Sequence, residues 1–231
     1  MDISLIDSIK TNELFYNIPP LLAPLFDGVK YPWEVLPKIK SYVSELVKNG
    51  IAGYRKFADG VLVGDNVHIY PNVVIEPPAI IGHGTVLRPG AFIRGSVIIS
   101  EDCVIGNSTE IKNAVLMDRV AVPHYNYVGD SILGCGSHLG AGVVCSNLKN
   151  DGKNITVHGI RTYKTNLRKL GAMIGDGGNV GCGCILNPGC VIGRGTNVYP
   201  NLTLRGVFPQ DSVVKSNTCI IPIENRSNNK P

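Results

Sequence analysis

Residues 63–111 read VGDNVHIYPNVVIEPPAIIGHGTVLRPGAFIRGSVIISEDCVIGNSTEI. Counting from Val63, every sixth residue is a branched aliphatic: Val63, Ile69, Ile75, Ile81, Leu87, Ile93, Ile99, Ile105 and Ile111. A helix repeats near 3.6 residues and a half-buried strand at 2, so neither gives this period. Two positions before each aliphatic after the first stands a small or β-branched residue: Val67, Val73, Ala79, Thr85, Ala91, Val97, Cys103 and Thr109. The pair of positions is the signature of a hexapeptide-repeat β-helix. One aliphatic per six residues points into a narrow triangular core, and three hexapeptides make one coil. The small partner fits a corner that a bulky side chain would overfill. The expected architecture is an all-β solenoid, a parallel β-helix of roughly seven to eight coils.

Outward from this run the period slips by one residue around Asn113–Leu116. It resumes at Leu116 and Val122 and slips again before Leu133, Leu139 and Cys145. Slips mark bulges or altered corners, and such irregularities favour functional sites. The period returns at Ile174, Val180, Leu186, Ile192, Val198 and Leu204. Between the runs, residues 148–171 carry no repeat. They read as a long inserted loop bearing Lys149, Lys153, Arg161, Lys164, Arg168 and Lys169, and long loops of this kind in compact domains are usually functional.

Residues 1–53 also lack the period. From Trp33 to Asn49, Val35, Ile39, Tyr42, Val43, Leu46 and Val47 fall at helical spacing; Pro37 suits the helix start and Gly50 its end. Pro19, Pro20 and Pro24 break the chain upstream. A short α-helical N-terminal cap over the first coil is expected, because a solenoid must protect its end layer. The expected organisation is a cap over 1–53, a β-helix over 54–215 and a polar tail over 216–231, with mobility expected of its last residues, 227–231.

Composition narrows the partners. The net charge is +4, and no basic helix, aromatic RNA-binding motif or zinc module appears, so nucleic acid is not an expected partner. The seven cysteines are an odd count with no signal peptide or long apolar span, which suits a reduced cytoplasmic protein with no membrane partner. Cys182, Cys184 and Cys190 have a superficial metal-ligand spacing. Cys184 and Cys190, however, fall on the small-residue position of the second run, so core packing is expected and no metal.

Four pieces carry a more specific signal: LRPGAFIRG (87–95), NSTEIKNAVL (107–116), VPHYNYVGDSILG (122–134) and GSHLGAGVVCSNL (136–148). In this order they resemble the acetyltransferase half of the bifunctional bacterial enzymes that make UDP-N-acetylglucosamine. They are also similar to the matching half of archaeal sugar-phosphate nucleotidylyltransferase/acetyltransferases. The resemblance covers most of 55–215 and implies the left-handed form of the β-helix, a homotrimer with sites between neighbours, and N-acetylation of glucosamine 1-phosphate or a close amino-sugar phosphate by acetyl-CoA.

Carried over residue by residue, the resemblance makes Arg88 and Lys112 the basic residues that hold the sugar phosphate through charge-assisted bonds. His124 becomes the general base, a role imidazole suits. Tyr127 and Asn147 position the sugar and the acetyl group, and Lys153 is a further substrate-binding lysine. Gly140, Ala141 and Gly142 form the segment along which the acyl-CoA arm approaches, with backbone N–H groups available to the thioester oxygen. Gly181 and Cys182 match a pantetheine-contacting corner and Pro200 a further one. His138 stands where the family usually has an Asn that contacts the amino sugar, and Cys182 where it often has Ser. The nucleotidylyltransferase domain of the two-domain enzymes has no counterpart in residues 1–60, so uridylyl transfer is not expected of this chain.

Taken singly, Arg88, Arg94, Lys112 and His124 read as surface residues and Asn147 as a turn residue. Their joint order carries the functional reading. A metalloenzyme of the γ-carbonic-anhydrase type would need three converging histidines, and His68, His83, His124, His138 and His158 show no paired spacing for it. A non-catalytic sugar-nucleotide-binding trimer would keep Arg88 and Lys112 without needing His124, Tyr127 and Asn147 together. An acyltransferase for another amino or hydroxyl acceptor is the alternative that His138 raises.

Overall fold

The structure, a computed structural model, describes residues 9–223. The start of the N-terminal cap and the tail at 227–231 lie outside the described residues. From Val61 onward the chain winds as a parallel β-helix with three faces. The first face runs from Val61–Val63 to Val207–Phe208, the second from His68–Ile69 to Ser212–Val214, and the third from Val74–Glu76 to Thr203–Leu204. The first two faces each hold nine strands, of which one outermost strand is antiparallel; the third holds seven. Eight parallel strands on two faces and seven on the third agree with the seven to eight coils expected.

The six-residue period is the interior column. Ile81, Leu87, Ile93, Ile99, Ile105 and Ile111 are fully buried, and Leu116, Val122, Val128, Leu133, Leu139 and Cys145 continue the column with no exposure. The small partners Ala79, Ala91, Thr109, Cys184 and Cys190 are buried at the corners or beside the aliphatic column, as expected for the two cysteines. Burial pushes the Cys145 thiol up to about 12, so it behaves as a small core side chain.

The two slips are two shortened corners. Val97 pairs in register with Ala114, and Ile132 with Val115, so the turn from the third face to the first loses a residue on two successive coils. The shortened turns pass through Asn113 and Asp130, whose φ values are +45° and +47°. Asn and Asp enter this left-handed region more readily than most side chains. At the next coil the same corner opens into the insertion after Asn147.

The N-terminal segment is helical, with a 3₁₀ turn over Pro32–Lys38 leading into a helix over Ile39–Asn49. It lies along the first face rather than over the end of the first coil. Leu62, Ile80, Ile98, Val115, Ile132, Met173 and Val191 point outward from successive coils of that face. They are buried against Leu14, Phe15, Leu22, Trp33, Val35, Ile39 and Val43 of the segment. At its far end Asp176 accepts from the Tyr16 backbone N–H at 2.8 Å. The physical reason is area: an apolar stripe running the length of the helix exposes more surface than one end layer, and covering it releases more water-contacting surface. The first coil is correspondingly less enclosed, with Ile69 and Ile75 half-buried.

The insertion at 148–171 is also more ordered than its sequence suggests. Thr156–His158 and Thr162–Lys164 form an antiparallel hairpin. Ile155, Val157 and Tyr163 are buried against the same N-terminal layer, and the Tyr163 ring meets Tyr31 edge-on at 5.7 Å.

Candidate active site

A group of polar and charged side chains gathers on the outward side of the third face and its corner. Glu110, Ile111 and Lys112 form one strand, paired in register with Tyr127, Val128 and Gly129 above and with Phe92 and Ile93 below. Alternation turns Ile111 into the core and Glu110 and Lys112 outward. Arg94 follows Ile93 and therefore lies one coil beneath Lys112. Its guanidinium donates to Glu110 Oε1 at 2.6 Å.

Asp130 is the buried centre of this group, 4% exposed. Asn113 Nδ2 donates to its Oδ1 at 2.8 Å and Asn147 Nδ2 to its Oδ2 at 2.5 Å. The same Asn147 nitrogen donates to the Tyr127 hydroxyl at 3.1 Å. Burial, followed by the charge on Glu110, raises the Tyr127 pKa, so the phenol stays protonated over the ordinary pH range. Lys112 is pulled below the usual lysine range, first by desolvation and then by neighbouring cations Lys169 and Arg94, against the opposing pull of Asp130. Three cations on one face are suited to an anion, which would relieve the repulsion felt by Lys112.

Arg88 is not part of this cluster. It follows Val86–Leu87 on the second face and sits at the corner between the second and third faces. The guanidinium beside Lys112 is that of Arg94. Sequence reading took Arg94 for an exposed corner charge, and passed over Asn113, Asp130 and, as a site residue, Lys169. The signal available for two of them was the pair of slips, which fall on Asn113 and Asp130.

His124 ends the strand Ala121–His124 at the corner that leads to Tyr127. Its side chain is exposed. The intervening Asn126 is 3% exposed and locks the corner: its Oδ1 accepts from the His124 N–H at 3.1 Å and its Nδ2 donates to the Gly140 carbonyl at 2.7 Å. Gly140, Ala141 and Gly142 occupy this corner one coil on, with Gly181 and Cys182 on the next and Pro200 beyond.

The corner narrows the backbone donors expected there. Gly140 N–H is spent on the Val180 carbonyl (2.8 Å) and Gly142 N–H on the His124 carbonyl (3.0 Å). The Ala141 and Cys182 N–H groups have no partner among the described residues. Glycine at 140 is required by the next coil, because a Cβ would lie 2.6 Å from the Cys182 nitrogen.

Two expected residues stand apart from the Tyr127–Asn147 group within the chain. His138 lies on the second face in register with Asn179, its Nδ1 2.9 Å from Asn179 Oδ1, in a surface ladder that continues to Asn197. Lys153 is exposed in the insertion, its N–H bonded to Asp151 Oδ1 at 3.0 Å. A cavity of about 420 Å³ lined by Ser146, Lys149, Asn187 and Arg205 adjoins Asn147 on the third face. No group of three or more His, Cys, Asp or Glu side chains suited to a metal occurs among the described residues. No described helix is long and apolar enough to cross a membrane.

The chain is similar to known proteins in sequence and in fold. A family profile described as the GMPPB C-terminal domain matches residues 75–166. A bifunctional protein GlmU of Methanococcus maripaludis is 36% identical over 196 residues, covering 82% of this chain and 47% of that protein. The chain is similar to this bifunctional protein over most of its own length. A bifunctional sugar-1-phosphate nucleotidylyltransferase/acetyltransferase of Sulfurisphaera tokodaii is 38% identical over 97 residues, 41% of this chain and 24% of that one. The chain thus spans about half or less of the length of the curated relatives it matches in sequence. Among solved structures, a UDP-N-acetylglucosamine acyltransferase from Campylobacter jejuni aligns with a TM-score of 0.48 at 16% identity, over 70% of this chain and 69% of that one.

Proposed function

We propose that the chain transfers the acetyl group of acetyl-CoA to the amino group of glucosamine 1-phosphate or a close amino-sugar phosphate. The observation that carries the reading is one continuous surface: Arg94, Lys112 and Lys169 for an anion, Tyr127 and Asn147 beside them, and exposed His124 at the adjoining corner. A relative named as an acetyltransferase adds the reaction type.

In the proposed reaction the sugar phosphate lies against the cationic end of the third face, with its amine toward His124. The amine nitrogen attacks the thioester carbonyl carbon while the His124 ring accepts the amine proton. The carbon–nitrogen bond forms and the carbon–sulfur bond breaks. The thiolate leaves and takes the proton from His124. The open N–H groups of Ala141 and Cys182 suit the oxygen that gains charge in between. Holding both substrates in line supplies much of the acceleration. Three chains packed side by side are part of the proposal, with the face bearing His138 available to a neighbour's site.

The test is product analysis. Purified protein, acetyl-CoA and glucosamine 1-phosphate should give an N-acetylated sugar phosphate by mass spectrometry. Thioester hydrolysis with no acetylated sugar, or transfer to a hydroxyl, would overturn the assignment.

A further inference from the structure

We infer that Asp130 is the positioning residue of this site, fixing which atom of Asn147 and which atom of Tyr127 face the acceptor; the inference rests on the acetyl-transfer reading. The carboxylate accepts and cannot donate. The Asn147 atom 2.5 Å from Asp130 Oδ2 is therefore its amide nitrogen. That nitrogen also donates to the Tyr127 oxygen at 3.1 Å. Both amide hydrogens are then spent inside the protein. Asn147 Oδ1 has no hydrogen-bond donor among the described residues and is left as an acceptor. The Tyr127 oxygen, already accepting, keeps its own proton free to donate. The site therefore offers one acceptor and one donor in fixed places. An amine or hydroxyl hydrogen of the acceptor binds the first, and a carbonyl, ring or phosphate oxygen the second.

Asn113 completes the lock by donating to the other carboxylate oxygen at 2.8 Å. The arrangement exists because the two shortened corners stack Asn113 beneath Asp130, and the next coil brings Asn147 above it. A buried carboxylate satisfied from both sides holds its partners far more firmly than a solvated one.

Asp130→Asn is the test, since Asn tolerates the φ of +47°. Its side chain has one accepting atom for two Asn donors, so either Asn113 or Asn147 must turn over or lose its bond. The expected result is a rise of about tenfold or more in KM for glucosamine 1-phosphate, with KM for acetyl-CoA little changed and the melting temperature retained. The double variant Asp130→Asn, Asn147→Asp again pairs a donor with an acceptor and presents an oxygen outward, so it should regain part of the loss. A second readout needs no turnover: the Asn147 side-chain amide protons, observed by NMR, should be slow to exchange in the wild-type protein and lose that protection in Asp130→Asn. Unchanged acceptor KM in an active enzyme, or rapid wild-type exchange of those protons, would overturn the role of Asp130. Absence of acetyl transfer by the wild-type protein, with the protons protected, would overturn the reaction and leave the positioning intact.

Discussion

Arg94 lies one coil beneath Lys112 on the outward side of the third face, and its positive charge is among those that lower the Lys112 pKa. Arg88 sits across a corner from both. This relationship gives the first prediction. Lys112→Ala and Arg94→Ala should each raise KM for a phosphate-bearing acceptor about tenfold or more, while Arg88→Ala should change it by less than about threefold. Steady-state kinetics with varied glucosamine 1-phosphate decide between the two arginines. Equal losses at 88 and 94 would contradict the geometry.

Lys112 also sets a pH dependence. Its pKa is lowered by burial and by Lys169 and Arg94. Folding therefore disfavours its charged form, and this contribution to stability improves as pH rises through the lowered pKa toward the unfolded value. Binding an anion does the reverse and favours the charged form. Acceptor affinity should weaken with rising pH, beginning below the ordinary lysine range, and calorimetry should show proton uptake on binding in that window. Lys112→Arg should remove the dependence, because guanidinium stays protonated.

Cysteine reactivity reports on the acyl-donor corner. Cys182 and Cys219 are exposed and the other five are buried. Desolvation holds Cys103 up at about 12 and Cys135 at about 11. Iodoacetamide under native conditions should modify Cys182 and Cys219 first. If the thioester arm runs along Gly140–Gly142 and Gly181–Cys182, CoA should protect Cys182 and leave Cys219 reactive. Protection of neither residue would remove the donor from that corner.

The N-terminal layer makes a prediction about stability. Ile98 faces outward from the β-helix yet is fully buried beneath that layer. Ile98→Ala should cost about 2–5 kcal/mol, the range for truncating a buried aliphatic, measured by denaturant unfolding. A cost within about 0.5 kcal/mol, as at an exposed surface position, would mean that the layer does not cover this face in solution.

Much of this was legible in the sequence, for particular reasons. The interior column was visible because Ile81, Leu87 and Ile93 have no alternative environment in a narrow core. The slips were visible because a single lost residue breaks a strict period, and they lead to Asn113 and Asp130. The course of the N-terminal segment was missed, although Ile80, Ile98 and Val115 put an apolar residue at the outward position of one face on successive coils. A solvent-facing strand would alternate with polar residues there, so the pattern signals a covered face. Arg94 was read only as an exposed corner charge because the RPG motif draws attention to Arg88, and only the register shows which arginine stacks under Lys112. The polarity of Asn147 was beyond sequence reading, since it depends on a carboxylate reached across a coil.

The most direct measurement is free-thiol release from acetyl-CoA with glucosamine 1-phosphate, comparing the wild-type protein with His124→Ala. The account predicts acceptor-dependent release that falls about 10²- to 10⁴-fold in the variant, the usual contribution of a positioned base, with folding unchanged because the His124 side chain is exposed. Acceptor-dependent release that survives intact in His124→Ala would contradict it.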